Sequence, residues 1–148
     1  MHDDYSILRE VPSAETYLRL RAESGLSPMS LVAASRGLPN SLFALQVLCA
    51  GHAVGMGRVI GDGGCFYQVT DICVLPAHRG RGLAHRIMAE IRMWLDAALS
   101  DTGYVSLIAD GEAHRLYQRF GFVPTAPRSI GMSLDRHAIA RDLPEKTR

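Results

Sequence analysis

Cysteine is scarce: 148 residues hold three, Cys49, Cys65 and Cys73. An odd number, all in apolar strand-like stretches, is poor material for a disulfide framework, and buried free thiols are expected. Excess charge is missing too, since 16 basic residues against 15 acidic leave a formal net charge of +1. No global field draws in a polyanion, and with aromatics at 7% no stacking platform is evident either, so a nucleic-acid partner is excluded. No apolar run nears the roughly 20 residues a membrane helix needs. The opening MHDDYSILREV carries acids where a secretory leader would carry basic residues. No membrane partner and a cytoplasmic location are therefore expected. The six histidines are scattered without ligand spacing, so no metal is expected. Repeats, low-complexity tracts and long linkers are absent as well.

What is present is an ordinary folding composition, 47% hydrophobic and 21% charged, enough for one domain over residues 1–148 with a polar tail at about 135–148. Strand and helix periods alternate, which predicts an α+β (mixed α/β) fold. YSILRE (5–10) reads as a short strand. Ser13 caps a helix that Gly25 stops, and a second short helix near Pro28–Arg36 ends at Gly37. Residues 42–75 hold three β-rich runs broken at Ala50-Gly51 and at Gly61–Gly64, an antiparallel meander. After Pro76 the period becomes helical, with Leu83, Ile87, Ile91, Trp94, Leu95 and Leu99 on one face. YVSLIA (104–109) predicts another strand, EAHRLYQRFG a short helix stopped by Gly121, and SIGMSL (129–134) a last strand.

The stretch VLPAHRGRGLAHRIM (74–88) joins a strand to the long helix through two closely spaced glycines. A strand-to-helix turn aims unsatisfied backbone N–H groups and the positive end of a helix dipole at one spot, and Gly80 and Gly82 allow close approach. With Arg79 and Arg81 adding charge at the rim, a pyrophosphate fits better than a carboxylate, although a solvated turn with ordinary basic residues has the same spacing. A P-loop string is missing, and His85 stands where a dinucleotide fingerprint needs its third glycine.

The turn resembles the acetyl-coenzyme A loop of the GNAT N-acetyltransferase superfamily, Arg/Gln-x-x-Gly-x-Gly/Ala, here Arg79, Gly82 and Ala84 after VLP. A second signature of that family, Asn-x-x-Ala-x-x-hydrophobic-Tyr-x-x-hydrophobic-Gly-Phe, is similar to DGEAHRLYQRFGF (110–122), about 30 residues on and in the expected order. The resemblance covers residues 42–134. It implies a GNAT-like central, mostly antiparallel twisted sheet of six to seven strands flanked by about four helices, with acetyl-CoA as cosubstrate.

It also implies roles. Residues Arg79, Gly80, Arg81, Gly82, Leu83 and Ala84 would bind the cofactor, and a backbone N–H among Ile72, Cys73 and Val74 would donate to the thioester carbonyl. Tyr117 matches the general-acid tyrosine, which would protonate the leaving thiolate; at helical spacing from Ala113 and Phe120 it also reads as a core aromatic. Asp71 lies where members carry a catalytic base, yet an ordinary carboxylate is a weak base, and a structural acid is the equal alternative. Asp110 replaces the usual Asn, which puts a pantetheine contact in doubt and favours an N-cap role. Cys73 lacks a persuasive His partner, so direct transfer in a ternary complex is expected over an acyl-enzyme. His78 reads as a phosphate contact and His114 as a modulator of Tyr117, against the surface positions histidines ordinarily take.

The expected acceptor is the primary amine of a small molecule, with Met29, Met56 and Met132 as lining against a core-filling alternative. The other readings are a protein N-terminal or lysine acetyltransferase and a non-catalytic acyl-CoA binding module. A homodimer is compatible with the resemblance.

Overall fold

The computed structural model describes residues 4–136. Five strands form one sheet in the order β1 (Tyr5–Leu8), β2 (Phe43–Cys49), β3 (His52–Gly61), β4 (Phe66–Val74), β5 (Tyr104–Ser106). The first four are antiparallel neighbours and β5 joins β4 in parallel, so the sheet is mixed. Four helices accompany it: α1 (Ala14–Ser24), α2 (Leu31–Gly37), α3 (Leu83–Ala98) and the short α4 (His114–Gln118). Among the described residues no helix is long and apolar enough to cross a membrane.

The Ser13 and Gly25 signals act as read, and further side chains organise the connections. Ser13 accepts from the Thr16 amide, Ser30 from that of Ala33, and Gly25 closes α1 in the left-handed region. Asp62 organises the β3–β4 turn by accepting the amides of Gly64, Cys65 and Phe66. Those three bonds, from Phe66 first, hold its carboxyl below the usual range.

The helices cover both faces. Ile87, Met88, Ile91 and Leu95 of α3 pack on Leu45, Val47, Val59, Tyr67 and Val69. Tyr17 and Leu20 of α1 pack with Ala34, Met56 and Cys73 on the opposite face. Gly57 lets α3 approach closely, because a Cβ there would stand 2.6 Å from Ile87 Cγ2.

Several expectations are corrected. The described residues form five strands where six to seven were expected, since YVSLIA is strand only at 104–106 and SIGMSL has no ladder partner. The first strand stops at Leu8, and α2 starts at Leu31 behind its Ser30 cap. Of the three free thiols only Cys73 is buried; Cys65 sits in an exposed turn and Cys49 at a strand end. The tail lies outside the described residues from position 137 on.

Candidate active site

A bulge in β4 builds the site. Tyr67 and Val69 face α3, and regular alternation would put residue 71 there as well. Asp71 instead takes φ +60°, and the β3–β4 register slips at the same place, between Met56 and Arg58. After it the even-numbered Ile72 and Val74 face α3 and Cys73 faces α1. One inserted residue thus re-aims Asp71 toward α1.

There its carboxylate is fully engaged. Arg21 Nη1 donates to Oδ1 at 2.6 Å, Arg58 Nε to Oδ2 at 2.9 Å, and the Tyr17 hydroxyl lies 3.1 Å from both oxygens. The Asp71 side chain is 3% exposed. Arg21 also grips the Ser27 carbonyl and hydroxyl, tying the α1–α2 connection to the sheet. Both guanidiniums lie under 6 Å from the Tyr17 ring centroid, at 5.8 and 5.6 Å. Burial, then the Asp71 charge, raise the Tyr17 pKa and keep it a donor. Both oxygens of this carboxylate accept hydrogen bonds from within the chain.

The glycine turn follows directly. Gly80 and Gly82 have φ +77° and +75°, and a Cβ on either meets nothing within 4 Å, so these glycines serve backbone conformation and leave open space above the loop. Gly82 is the N-cap of α3 without a side-chain cap, and the first turn of α3 has no acid. The amides of Leu83 and Ala84 therefore have no partner within the helix, and an anion would satisfy them.

The arginines differ from the rim charges expected. Arg79 donates to the carbonyls of Val74 and Ser24, at 2.9 and 2.8 Å, and is a strut between the end of β4 and α1. Arg81 Nη1 donates to the Tyr5 hydroxyl, which meets His78 Nδ1 at 2.8 Å. The loop is held by its side chains, and the space over Gly80 and Gly82 is open.

Beside it the sheet splits. The β4–β5 ladder covers only Phe66–Gln68 and Tyr104–Ser106. Beyond these the strands part around a cleft of about 430 Å³ between Thr70–Ile72 and Leu107–Asp110, with Tyr117 in its wall. Of the three expected oxyanion donors only Ile72 lines it; Cys73 and Val74 are buried and laddered to β3. Burial raises the Cys73 thiol above its ordinary pKa, which disfavours a thiolate nucleophile. Tyr117 is raised as well, by burial first and by the Asp110 charge second. Asp110 stands at the N-cap of a 3₁₀ turn (Gly111–Ala113) but makes no side-chain capping bond; the Ala113 amide goes to its backbone carbonyl, leaving the carboxylate on the cleft.

A split β4–β5 pair, a bulged β4 and an uncapped glycine turn thus converge. Residues 42–124 match the model of the GNAT acetyltransferase domain. The chain belongs to the GNAT acetyltransferase family.

Among solved structures, this GNAT enzyme is similar to a Staphylococcus aureus protein described as an acetyltransferase of unestablished function. The identity is 41%, the coverage 89% of this chain and 99% of that one, and the TM-score 0.85. A GNAT-family protein of Xanthomonas campestris has 28% identity over 89% and 94% of the two chains, with a TM-score of 0.72. A Clostridium acetobutylicum protein described as a predicted acetyltransferase, determined with acetyl-CoA, shares the fold at 13% identity, 89% and 96% coverage and a TM-score of 0.67. No curated protein matches.

In this GNAT chain Asp71, Ile72, Asp110 and Tyr117 meet in one cleft, and β4, which forms one of its walls, leads into the 79–84 turn. Sequence reasoning missed Tyr17, Arg21 and Arg58, whose contacts with Asp71 span 54, 50 and 13 residues and leave no local signal. His114 bonds the Gly111 carbonyl, and His78 pairs with Tyr5. The methionines do not make a pocket: Met56 is core, while Met29 and Met132 are exposed.

Proposed function

We propose that the protein transfers an acetyl group from acetyl-CoA to the primary amine of a small molecule, directly in a ternary complex. The observation that carries this reading is the cleft where β4 and β5 part, with Tyr117 in its wall, opened beside the very strand that runs on into the uncapped 79–84 turn. The turn is suited to a pyrophosphate through the amides of Leu83 and Ala84, and the split strands to an extended arm. Acetyl-CoA supplies the activated acetyl thioester. The Ile72 amide is the candidate donor to the developing oxyanion. Tyr117 holds a proton at its hydroxyl, which the raised pKa keeps in place across neutral pH, and is the group positioned to protonate a leaving thiolate. We assign Asp71 a positioning role, holding α1 and the Ser27 segment against the bulge.

Calorimetric titration with acetyl-CoA, followed by a thiol-release screen over arylalkylamines, polyamines, amino acids and peptides, tests the reading. Saturable binding and amine-dependent thiol release are expected for the wild type. Gly82→Asp should keep the fold, because Asp tolerates positive φ and its Cβ meets nothing, and should lose measurable binding by placing a carboxylate at the anion space. Equal affinity in that variant would refute the loop assignment. Release only with peptides would favour a protein acetyltransferase, and binding without release a non-catalytic module.

With Asp71 engaged, the acceptor enters as the free amine. The acidic limb of the rate–pH profile should then track the acceptor, moving upward when a more basic amine replaces a less basic one. A limb at the same pH for every amine would reveal an enzymic base instead.

A further inference from the structure

Two glycines at positive φ make the 79–84 turn easy to form and easy to lose, because a residue without a side chain gives the turn nothing to pack. An anion gains from the Leu83 and Ala84 amides only what remains after the entropy of ordering them is subtracted. Whatever fixes the turn beforehand therefore sets its affinity.

One residue does this from far along the chain. Tyr5, on the edge strand β1, has a hydroxyl that accepts from Arg81 Nη1 at 2.7 Å and meets His78 Nδ1 at 2.8 Å. Its ring stands edge-on to the His78 ring, with 5.6 Å between centroids and 89° between planes, and the Arg81 guanidinium lies 5.8 Å from its centroid. Side chains from both sides of Gly80 thus converge on a residue 73 and 76 positions earlier.

Tyr5 is itself a fixed post. Its backbone pairs with Cys49 of β2, and its ring packs against the core beneath α3. Just beyond β1, Arg9 makes two bonds of 2.8 Å to the Glu90 carboxylate, half-way along α3. The first strand and its exit are therefore fastened to α3 twice, at its middle through Arg9 and at the turn before its N-terminus through Tyr5. Arg79 braces the same turn against α1.

We propose that Tyr5 is a positioning residue for the acyl donor: through His78 and Arg81 it holds the turn in the form that receives the pyrophosphate, and so sets donor affinity and not the transfer step. This rests on the turn being the pyrophosphate site. Tyr5 does not line the β4–β5 cleft, so a change there leaves the surroundings of the reacting atoms in place.

Tyr5→Phe keeps the packed ring and deletes the hydroxyl, and its circular dichroism spectrum should match the wild type. Calorimetry should show acetyl-CoA binding weakened about tenfold, as the loss of a hydrogen bond to a charged group predicts. With the best amine, kcat at saturating donor should stay within about twofold, so that the effect falls on KM. In a His78→Ala, Arg81→Ala background the same change should cost less than about twofold further, because its partners are already gone. Full affinity in Tyr5→Phe, a fall in kcat as large as the fall in affinity, or an undiminished penalty in that background would each overturn the role of Tyr5 and leave the pyrophosphate site standing. A wild type that does not bind acetyl-CoA would overturn the site, and the role of Tyr5 with it.

Discussion

Tyr117→Phe is expected to lower turnover about 10²-fold while acetyl-CoA affinity stays within about threefold, because the change removes a proton donor and keeps the ring. The ring packs edge-on to Phe122 at 6.5 Å between centroids, a contact that phenylalanine reproduces. Steady-state rates with the best amine from the screen, paired with calorimetry, make the check. Unchanged turnover would return Tyr117 to packing. Since its pKa is raised from the ordinary 10.0, the wild-type hydroxyl stays protonated through neutral and mildly alkaline pH, and any loss of rate through its ionisation belongs above pH 10. The stability linkage has the same direction. A group that binds its proton more tightly in the native state contributes stability below its unfolded pKa, and that contribution fades as pH rises through the raised folded value.

Asp71→Asn should destabilise the fold by about 3–5 kcal/mol, measured by urea denaturation, because it leaves Arg21 and Arg58 buried with no counter-charge. Their side chains are only 9% and 12% exposed, so water cannot replace the lost carboxylate. The variant separates the two readings of this acid. A positioning residue predicts that the protein still folded at low temperature retains the acidic limb of its rate–pH profile, while a catalytic base predicts loss of that limb with little change in stability. Asparagine keeps the shape and can still accept from the Tyr17 hydroxyl, so the result isolates the charge.

Much of this was legible from local chemistry. Ser13 and Gly25 bracket α1 because a hydroxyl satisfies an orphan amide and glycine tolerates positive φ. The 3.6-residue spacing from Leu83 to Leu95 made α3 visible, and the two glycines before it made the anion turn visible. Asp71 and Tyr117 were both legible as positions of interest, each with two roles open. SIGMSL alternates as a strand does, yet a strand also needs an edge to bond, and among the described residues it has no ladder partner.

The sequence by itself determined the helix caps, the meander, the uncapped turn at 79–84 and the family, because each is written in residues a few positions apart whose backbone preferences and periods act locally. Only the tertiary structure decided that Asp71 is locked between two arginines, that Arg79 is a strut, that Asp110 faces the cleft rather than capping a helix, and that β4 and β5 part to make room. Those outcomes turn on a one-residue bulge and on contacts spanning up to 55 residues. Burial and pairing are properties of the assembled layers, and no window of sequence contains them.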